Sequence, residues 1–503
     1  MTDQPLSKRA RMKIARQEMP SSDVRVRLGS FAEVNLGFTE QIALLEAQRC
    51  LDCKRATCVD GCPVSVDIPG FVVEIERGDL AAAARILFAD NALPAVTGRV
   101  CPQETQCEAV CVLGRKGASV AIVYLERFVA DWARGQDRDS AVAMQPSGRR
   151  VAVIGAGPGG LTAADELTRR GHAVTVYEAL HLPGGVLSYG IPEFRLPNEI
   201  VQDEVRRLEA LGVQIECNVV IGRTYTLEQL RAEFDAVFVS VGAGLPVFLG
   251  IPGEGLKGVY TANEYLTRVN LMRSYAFPDA DTPVLHGDRV VVIGGGNVAF
   301  DAVRTALRLG ARTATIVYRR GRTELPARVE EIDHAEEEGV LFQLQVSPLA
   351  IEGNEDRWVT GVRCVDTELG EPDESGRRRP VPIEGSERVI PCDTVVVAVG
   401  TRANPLLTSS APNLEITDRG YLIADDRGMT NIPGVFAGGD IVRGSATVIL
   451  AMGDGKRIAG MIDEYLCATE VTVNSKPSAS TVATESESQQ SLTDAVPSVG
   501  AQQ

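Results

Sequence analysis

The chain has 503 residues, 44% of them hydrophobic, enough for two or three domains that each bury a core. Its formal charge of -16 argues against nucleic-acid binding, and no apolar run approaches the ~20 residues of a membrane-spanning helix. Only four histidines occur (His172, His181, His286, His334), none near another in a metal-ligand or triad spacing, which sets hydrolytic chemistry aside.

Residues 1 to about 145 read as helical, with Gly78-Asp79-Leu80 leading into the alanine-rich run 81–89 and a linker at 135–148. Met1 to Met19 is charged (Lys8, Arg9, Arg11, Lys13, Arg16) without the apolar core of a signal peptide, so a reducing, cytoplasmic setting is expected. Seven of the eleven cysteines lie here, as Cys50-x2-Cys53-x4-Cys58-x3-Cys62-Pro63 and Cys101-x5-Cys107-x3-Cys111. Gaps of two to four residues let successive sulfurs reach different corners of one iron-sulfur cluster, and a proline after the last cysteine of a run is a ferredoxin habit. Zinc would have to explain seven thiolates without a histidine, and disulfides do not suit a reducing compartment. Two cubane clusters need eight ligands and seven cysteines are present, so either one ligand is not sulfur or only one cluster forms. Glu126, an acid in the apolar stretch 120–128, is a candidate for the eighth, the alternative being that it faces water. Cys217, Cys364, Cys392 and Cys467 read as inert thiols.

Next comes a strand at 150–154 running into Gly155-Ala156-Gly157-Pro158-Gly159-Gly160, an amphipathic helix to Arg170, and a second strand ending at Glu178. This is a complete dinucleotide fingerprint. Gly155 permits the turn, Gly157 lets the backbone approach a pyrophosphate, Gly160 allows close helix packing, and Glu178 stands where an acid accepts hydrogen bonds from an adenosine ribose. The unit repeats: a strand at 288–293, Gly294-Gly295-Gly296-Asn297-Val298-Ala299, a helix through Leu309, and a strand at 313–318 that ends in Arg319-Arg320. Guanidiniums in place of an acid favour the 2′-phosphate of NADP(H), the alternative being a solvated pair. The echo of 235–242 (DAVFVSVG) in 393–400 (DTVVVAVG) supports duplication, each copy expected to close one sheet. Near the end, Gly438-Gly439-Asp440 follows a buried strand, an arrangement by which two-dinucleotide flavoproteins bring a carboxylate to the ribityl or phosphate region of a flavin. Beyond Cys467 the Ser-, Thr- and Gln-rich composition reads as a disordered tail.

The words Arg49-Cys50-Leu51-Asp52-Cys53, Gly98-Arg99-Val100-Cys101-Pro102, 190–197 (GIPEFRLP) and Tyr318-Arg319-Arg320 resemble the small (beta) subunit family of NADPH-dependent glutamate synthase. That family shares its cluster and flavin modules with the N-terminal half of dihydropyrimidine dehydrogenase, and the similarity covers about residues 7 to 467. The resemblance implies an α/β protein: a helical domain at 1–145 with two 4Fe-4S clusters, then two Rossmann-like domains, the NADPH domain (271–394) inserted in a FAD domain (146–270 and 395–467). It implies one cluster on Cys50, Cys53, Cys58 and Cys111 and the other on Cys62, Cys101, Cys107 and Glu126. It also implies that the segment containing Gly184, Gly185 and Tyr189 lines FAD, with Arg195 as a stabiliser of reduced flavin. Arg195 stands where the usual partners of large glutamate synthases more often carry lysine. That departure leans toward a sub-branch with the large subunit of electron-bifurcating ferredoxin:NADP oxidoreductase and sulfide dehydrogenase flavoprotein subunits. Clusters, flavin and nicotinamide fill the chain, so a second polypeptide is expected to carry the glutaminase and FMN sites, or else a 2Fe-2S flavoprotein.

Overall fold

A computed structural model describes residues 6–136, 145–373 and 376–468. The middle of the expected linker, and all of the expected tail but Ala468, lie outside the described residues. The N-terminal region is helical, as its composition predicts. Asp79 accepts a hydrogen bond from the Ala82 N–H (2.8 Å) and caps helix Leu80–Asp90 just after Gly78 (φ +80°) has closed helix Ile68–Arg77. Helix Ile122–Arg134 buries Ile122, Val123, Leu125, Val129 and Ala130 against helix Pro94–Val100, and this face aims Glu126 inward.

In chain order the strands are β1 (Arg150–Ile154), β2 (Ala173–Tyr177), β3 (Gln214–Glu216), β4 (Ala236–Val239), β5 (Leu245–Pro246), β6 (Val259–Thr261), β7 (Arg289–Ile293), β8 (Thr313–Tyr318), β9 (Leu341–Leu344), β10 (Val346–Gly353), β11 (Val359–Pro372), β12 (Arg378–Pro382), β13 (Arg388–Pro391), β14 (Thr394–Val397), β15 (Thr401–Arg402) and β16 (Val435–Ala437). Two five-stranded parallel sheets result, ordered β16-β4-β1-β2-β3 and β6-β14-β7-β8-β9. Both read as continuous β-branched runs because helices cover both faces. Strands β10 to β13 form an antiparallel excursion beyond the second sheet, and β5 pairs with β15 as a ribbon between the two units.

Pairing departs from the expected limits at two places. Strand β6, placed by sequence in the first unit, hydrogen-bonds β14 in the second sheet, and helix Ala262–Val269 packs with it. The echoed segments do supply matching strands, β4 beside β1 and β14 beside β7, but each sheet closes one strand further out, on β16 and β6. Three-residue strands carry too little alternation to be seen in sequence. Among the described residues no single helix is long and apolar enough to cross a membrane.

Candidate functional site

The seven clustered cysteines fall into two neighbouring groups. Cys50, Cys53, Cys58 and Cys111 line one cavity of about 430 Å³, its mouth included, with Ile68, Val72 and Leu113 as its apolar wall. Burial, together with like charge from Cys53 and Cys111, pushes the Cys50 thiol up to about 11, and burial with Cys50 and Cys111 pushes Cys58 up to about 12. Cys62, Cys101 and Cys107 form the second group around Glu126. Burial first, then Glu126, Cys107 and Cys62, drive Cys101 well above the ordinary thiol range, and burial, then Glu108, Cys62 and Glu126, do the same to Cys107. Buried thiols held this close become thiolates only if a cation offsets their charge, so the donor set fits sulfur-ligated iron. Among the described residues no three or more such side chains converge tightly enough for a single metal ion; the thiols ring a space.

Glu126 does not face water. Burial raises its carboxyl to about 7, while one oxygen accepts hydrogen bonds from Asn91 Nδ2 (2.9 Å) and the Thr97 hydroxyl, aiming the group at the thiols. Behind Cys50, buried Arg49 pairs with Glu46 and donates to the carbonyls of Ala118 (2.6 Å) and Ser119 (2.7 Å), tying the two cysteine runs together. Asn91, Thr97 and Glu46 escaped sequence reading because their role depends on other helices. Only Arg49, beside Cys50, gave a local signal.

In the first sheet, Gly155 (φ +104°) makes the turn after β1, and a Cβ at Gly160 would stand 1.9 Å from the Gly155 carbonyl oxygen. Nothing lies within 4 Å of where a Gly157 Cβ would be, leaving the loop open toward a ligand, and a Cβ at Gly185 would reach the Gly157 Cα at 2.9 Å, so the 184–190 segment borders that opening. Glu178 is buried, accepting from the Ala156 N–H (2.9 Å) and the Leu180 N–H (2.8 Å), and so holds the loop as well as facing the site. Burial, then Asp440 and Glu178, raises the Tyr189 hydroxyl to about 12, which brings these three side chains around one space. Asp440 follows Gly438 and Gly439. One of its oxygens is buried without a hydrogen-bond partner, and burial raises the carboxyl to about 6. An orphaned carboxylate oxygen facing a glycine cradle fits a hydroxyl-rich ligand chain such as a ribityl group.

In the second sheet Gly294, Gly296 and Asn297 form the equivalent loop. Asn297 starts helix Asn297–Arg308, its side chain accepts from the Arg328 N–H (3.0 Å), and Val298 is exposed. The strand-end pair separates. Arg319 is exposed, whereas Arg320 is buried and donates to Asp373 (2.9 Å) and to the Arg378 carbonyl (2.7 Å). Only Arg319 remains free to meet a phosphate, because the β11–β12 hairpin claims its neighbour.

Arg195 also differs from expectation. Its guanidinium binds both oxygens of Asp301 (2.7 and 2.8 Å) and lies 3.0 Å from Glu331, so it joins the first unit to the second and is not free to offset charge on a flavin. Burial alone would raise Glu331, but Arg195, Arg304 and Arg328 hold it at about 2.

Helix Val448–Ala468 connects the sites. A Cβ at Gly453 would meet the Pro63 carbonyl oxygen at 2.7 Å, and Lys456 Nζ donates to the carbonyls of Val64 (2.9 Å) and Asp90 (2.7 Å) beside Cys62. In the same turn Asp454 accepts from the Gly439 N–H (3.1 Å), and Gly455 packs on the Gly159 carbonyl. One helical turn therefore touches the Cys62 loop on one side and both first-sheet glycine loops on the other.

A family model described as dihydropyrimidine dehydrogenase domain II, 4Fe-4S cluster, matches residues 27–138, and one described as pyridine nucleotide-disulphide oxidoreductase matches 149–455. The chain is 37% identical to the glutamate synthase [NADPH] small chain of Escherichia coli over 461 residues, 90% of this chain and 98% of that one. It is 40% identical over 436 residues to the NADP(+)-dependent formate dehydrogenase subunit beta of Moorella thermoacetica, covering 82% of this chain and 60% of that subunit. Among solved structures, Mycobacterium tuberculosis FprA in complex with NADPH superposes with a TM-score of 0.54 at 24% identity, over 64% of this chain and 85% of FprA, a likeness of fold.

Proposed function

We propose a function from the family to which the chain belongs, the glutamate synthase (NADPH) small chains: it is an NADPH-dependent flavin and iron-sulfur oxidoreductase subunit. FAD, when bound, would supply hydride acceptance from NADPH and single-electron delivery toward 4Fe-4S centres. The chain's own residues bind and orient. Cys50, Cys53, Cys58 and Cys111 hold an outer cluster, and Cys62, Cys101, Cys107 and Glu126 an inner one. Gly155, Gly157, Gly159, Gly160 and Glu178 cradle the FAD pyrophosphate and ribose, Gly184, Gly185, Tyr189 and Gly438 to Asp440 line the rest of that cofactor, and Gly294, Gly296, Asn297 and Val298 with Arg319 take NADP(H). The NADP(H) unit runs from β6 through β14, inside a FAD unit made of β1 to β4 and β16.

The observation that supports this reading is the turn Gly453–Lys456, which touches the Cys62–Pro63 loop and the first-sheet glycine loops at once, so that centres held by those loops would share one piece of backbone. Its test is Cys101→Ser. Iron per chain should fall by about half, since one of two four-iron sites loses a ligand, while NADPH still bleaches the flavin and no longer reduces the remaining iron. Full iron content with undisturbed cluster reduction overturns it. The electrons end on a partner polypeptide. A glutaminase-bearing subunit is the first reading. The equal similarity to a formate dehydrogenase subunit favours a second, in which the partner is another redox module. NADPH-dependent glutamate formation only when a glutaminase-bearing partner is added decides for the first.

A further inference from the structure

The two cysteine groups differ in access. Two of the three thiols of the second group, Cys101 and Cys107, are buried and Cys62 is part-exposed, whereas all four of the first, Cys50, Cys53, Cys58 and Cys111, are part-exposed around a cavity with an open mouth. Exposed Lys54 and Arg55 lie between Cys53 and Cys58, and exposed Arg115 and Lys116 follow Cys111. The Thr57 hydroxyl donates to the Val110 carbonyl (2.6 Å), bringing those segments to one rim. A third segment joins them, since Arg11 donates to the Cys50 carbonyl (3.2 Å) and carries exposed Lys8, Arg9 and Lys13 beside it. None of these seven cations forms an ion pair among the described residues, and the three segments (8–13, 50–62 and 111–116) contain only two acids, Asp52 and Asp60. On a chain of net charge -16 this is a local reversal of sign. Unpaired lysines and arginines are kept solvated at little cost, yet their field adds over a Debye length and steers an oppositely charged body.

We propose that this rim is the docking face of an acidic electron-carrying protein, which meets the chain at the outer thiol group. The inference rests on the reading of those thiols as cluster ligands. Electrons leave, or enter, where the thiols are most accessible, and the cations orient the carrier there. Per turnover one NADPH becomes NADP+ and a proton, and two carrier molecules each gain one electron.

The test uses the iron- and flavin-loaded protein with an acidic flavodoxin as probe, and two charge reversals: Lys54→Glu/Arg55→Glu/Arg115→Glu/Lys116→Glu at the rim, and Lys8→Glu/Arg9→Glu/Lys13→Glu further from the cysteines. Binding of oxidised flavodoxin, followed by calorimetry, should weaken at least about tenfold between roughly 0.02 and 0.3 M salt and in each variant. NADPH-driven flavodoxin reduction should fall in parallel, while flavin bleaching by NADPH stays within about twofold and a basic cytochrome c is reduced no more slowly by the variants. Iron content reports whether the first variant keeps its clusters; the second alters no residue near a thiol. Flavodoxin binding indifferent to salt and to the second variant overturns the docking face. Clusters that NADPH cannot reduce even in the unaltered protein would overturn the underlying wire instead.

Discussion

The two parallel sheets share the order of four strands, β4-β1-β2-β3 and β14-β7-β8-β9, and differ in the fifth and at nearly every point where a ligand would be selected. In the first, the helix after the glycine loop approaches so closely that a Cβ at Gly160 would stand 1.9 Å from a carbonyl oxygen; in the second, the equivalent third helical position is Ala299, fully buried with its Cβ accommodated. The first ends its second strand in a buried acid that hydrogen-bonds its own loop, the second in an exposed arginine. The first is completed by a strand from the far end of the chain, β16, and the second by one that precedes its fingerprint, β6. Topology is thus duplicated while the ligand-facing chemistry is not, and the spacing between loop and helix is as specific as the charge at the strand end.

The largest effect expected from breaking this contrast is at Gly160. Gly160→Ala should abolish flavin content, and with it all NADPH-driven electron delivery, because the added methyl cannot be accommodated without moving β1 or helix Pro158–Arg169. The reciprocal Ala299→Gly should leave NADPH affinity nearly unchanged and cost only about 0.5–1 kcal/mol of stability, the ordinary price of glycine in a helix. Flavin absorbance of the purified variants and thermal unfolding separate the two. Retention of FAD by Gly160→Ala would show that the tighter loop is not selective.

Next in size is the tie between the units. Arg195→Met leaves Asp301 and Glu331 buried without their shared partner, and losing one side of a buried pair costs about 3–5 kcal/mol. Thermal unfolding should move down accordingly while the flavin potential stays put; a shifted potential at unchanged stability would restore the role expected from sequence. Glu331 keeps Arg304, so Asp301→Asn combined with Arg195→Met should recover part of the loss.

The strand end gives a smaller, directional effect. Arg319→Ala should lower the preference for NADPH over NADH by about tenfold, the worth of one charge-assisted hydrogen bond. Arg320→Ala should leave that preference intact and reduce stability, since its partners are Asp373 and the Arg378 carbonyl. Ratios of kcat/KM for the two nucleotides check both.

What sequence made legible was local. Glycine loops, strand-end residues and thiol spacings are local, so both fingerprints and both cysteine runs stood out before any fold was known, whereas the division of the thiols across the two runs came only with the family resemblance. What it hid depends on distant chain. The inward turn of Arg320 is set by a hairpin some fifty residues later, the aim of Glu126 by Asn91 and Thr97 on other helices, and the capture of Arg195 by Asp301 and Glu331. The β6 and β16 edges are too short for periodicity, and nothing at Lys456 announces that its ammonium reaches the carbonyls beside Cys62. Apolar pattern and turn chemistry report what a segment is, and long-range polar pairing decides where a charged side chain ends up.

The smallest effect expected is a pH dependence at the glycine loop that completes the first sheet. Burial raises Asp440 from 3.8 to about 6. In the flavin-free protein the folded chain therefore holds this proton more tightly than the unfolded chain does. Ionising Asp440 above pH 6 destabilises the fold, and stability recovers as pH falls from about 6 toward 4, the reverse of the usual carboxylate behaviour. Asp440→Asn should flatten that part of the stability profile and make the flavin-free protein more stable at pH 8, while weakening FAD binding, since an amide oxygen is a poorer acceptor than the carboxylate oxygen it replaces. Asp301, in the helix after the second loop, is likewise raised by burial to about 6, but it is paired with Arg195 and is unchanged by this substitution, so NADPH affinity should keep its pH profile in the variant. Denaturant unfolding of the flavin-free proteins from about pH 4 to 8 measures the difference, and an Asp440→Asn profile parallel to that of the unaltered chain would place the orphaned oxygen in contact with solvent and remove it from the flavin site.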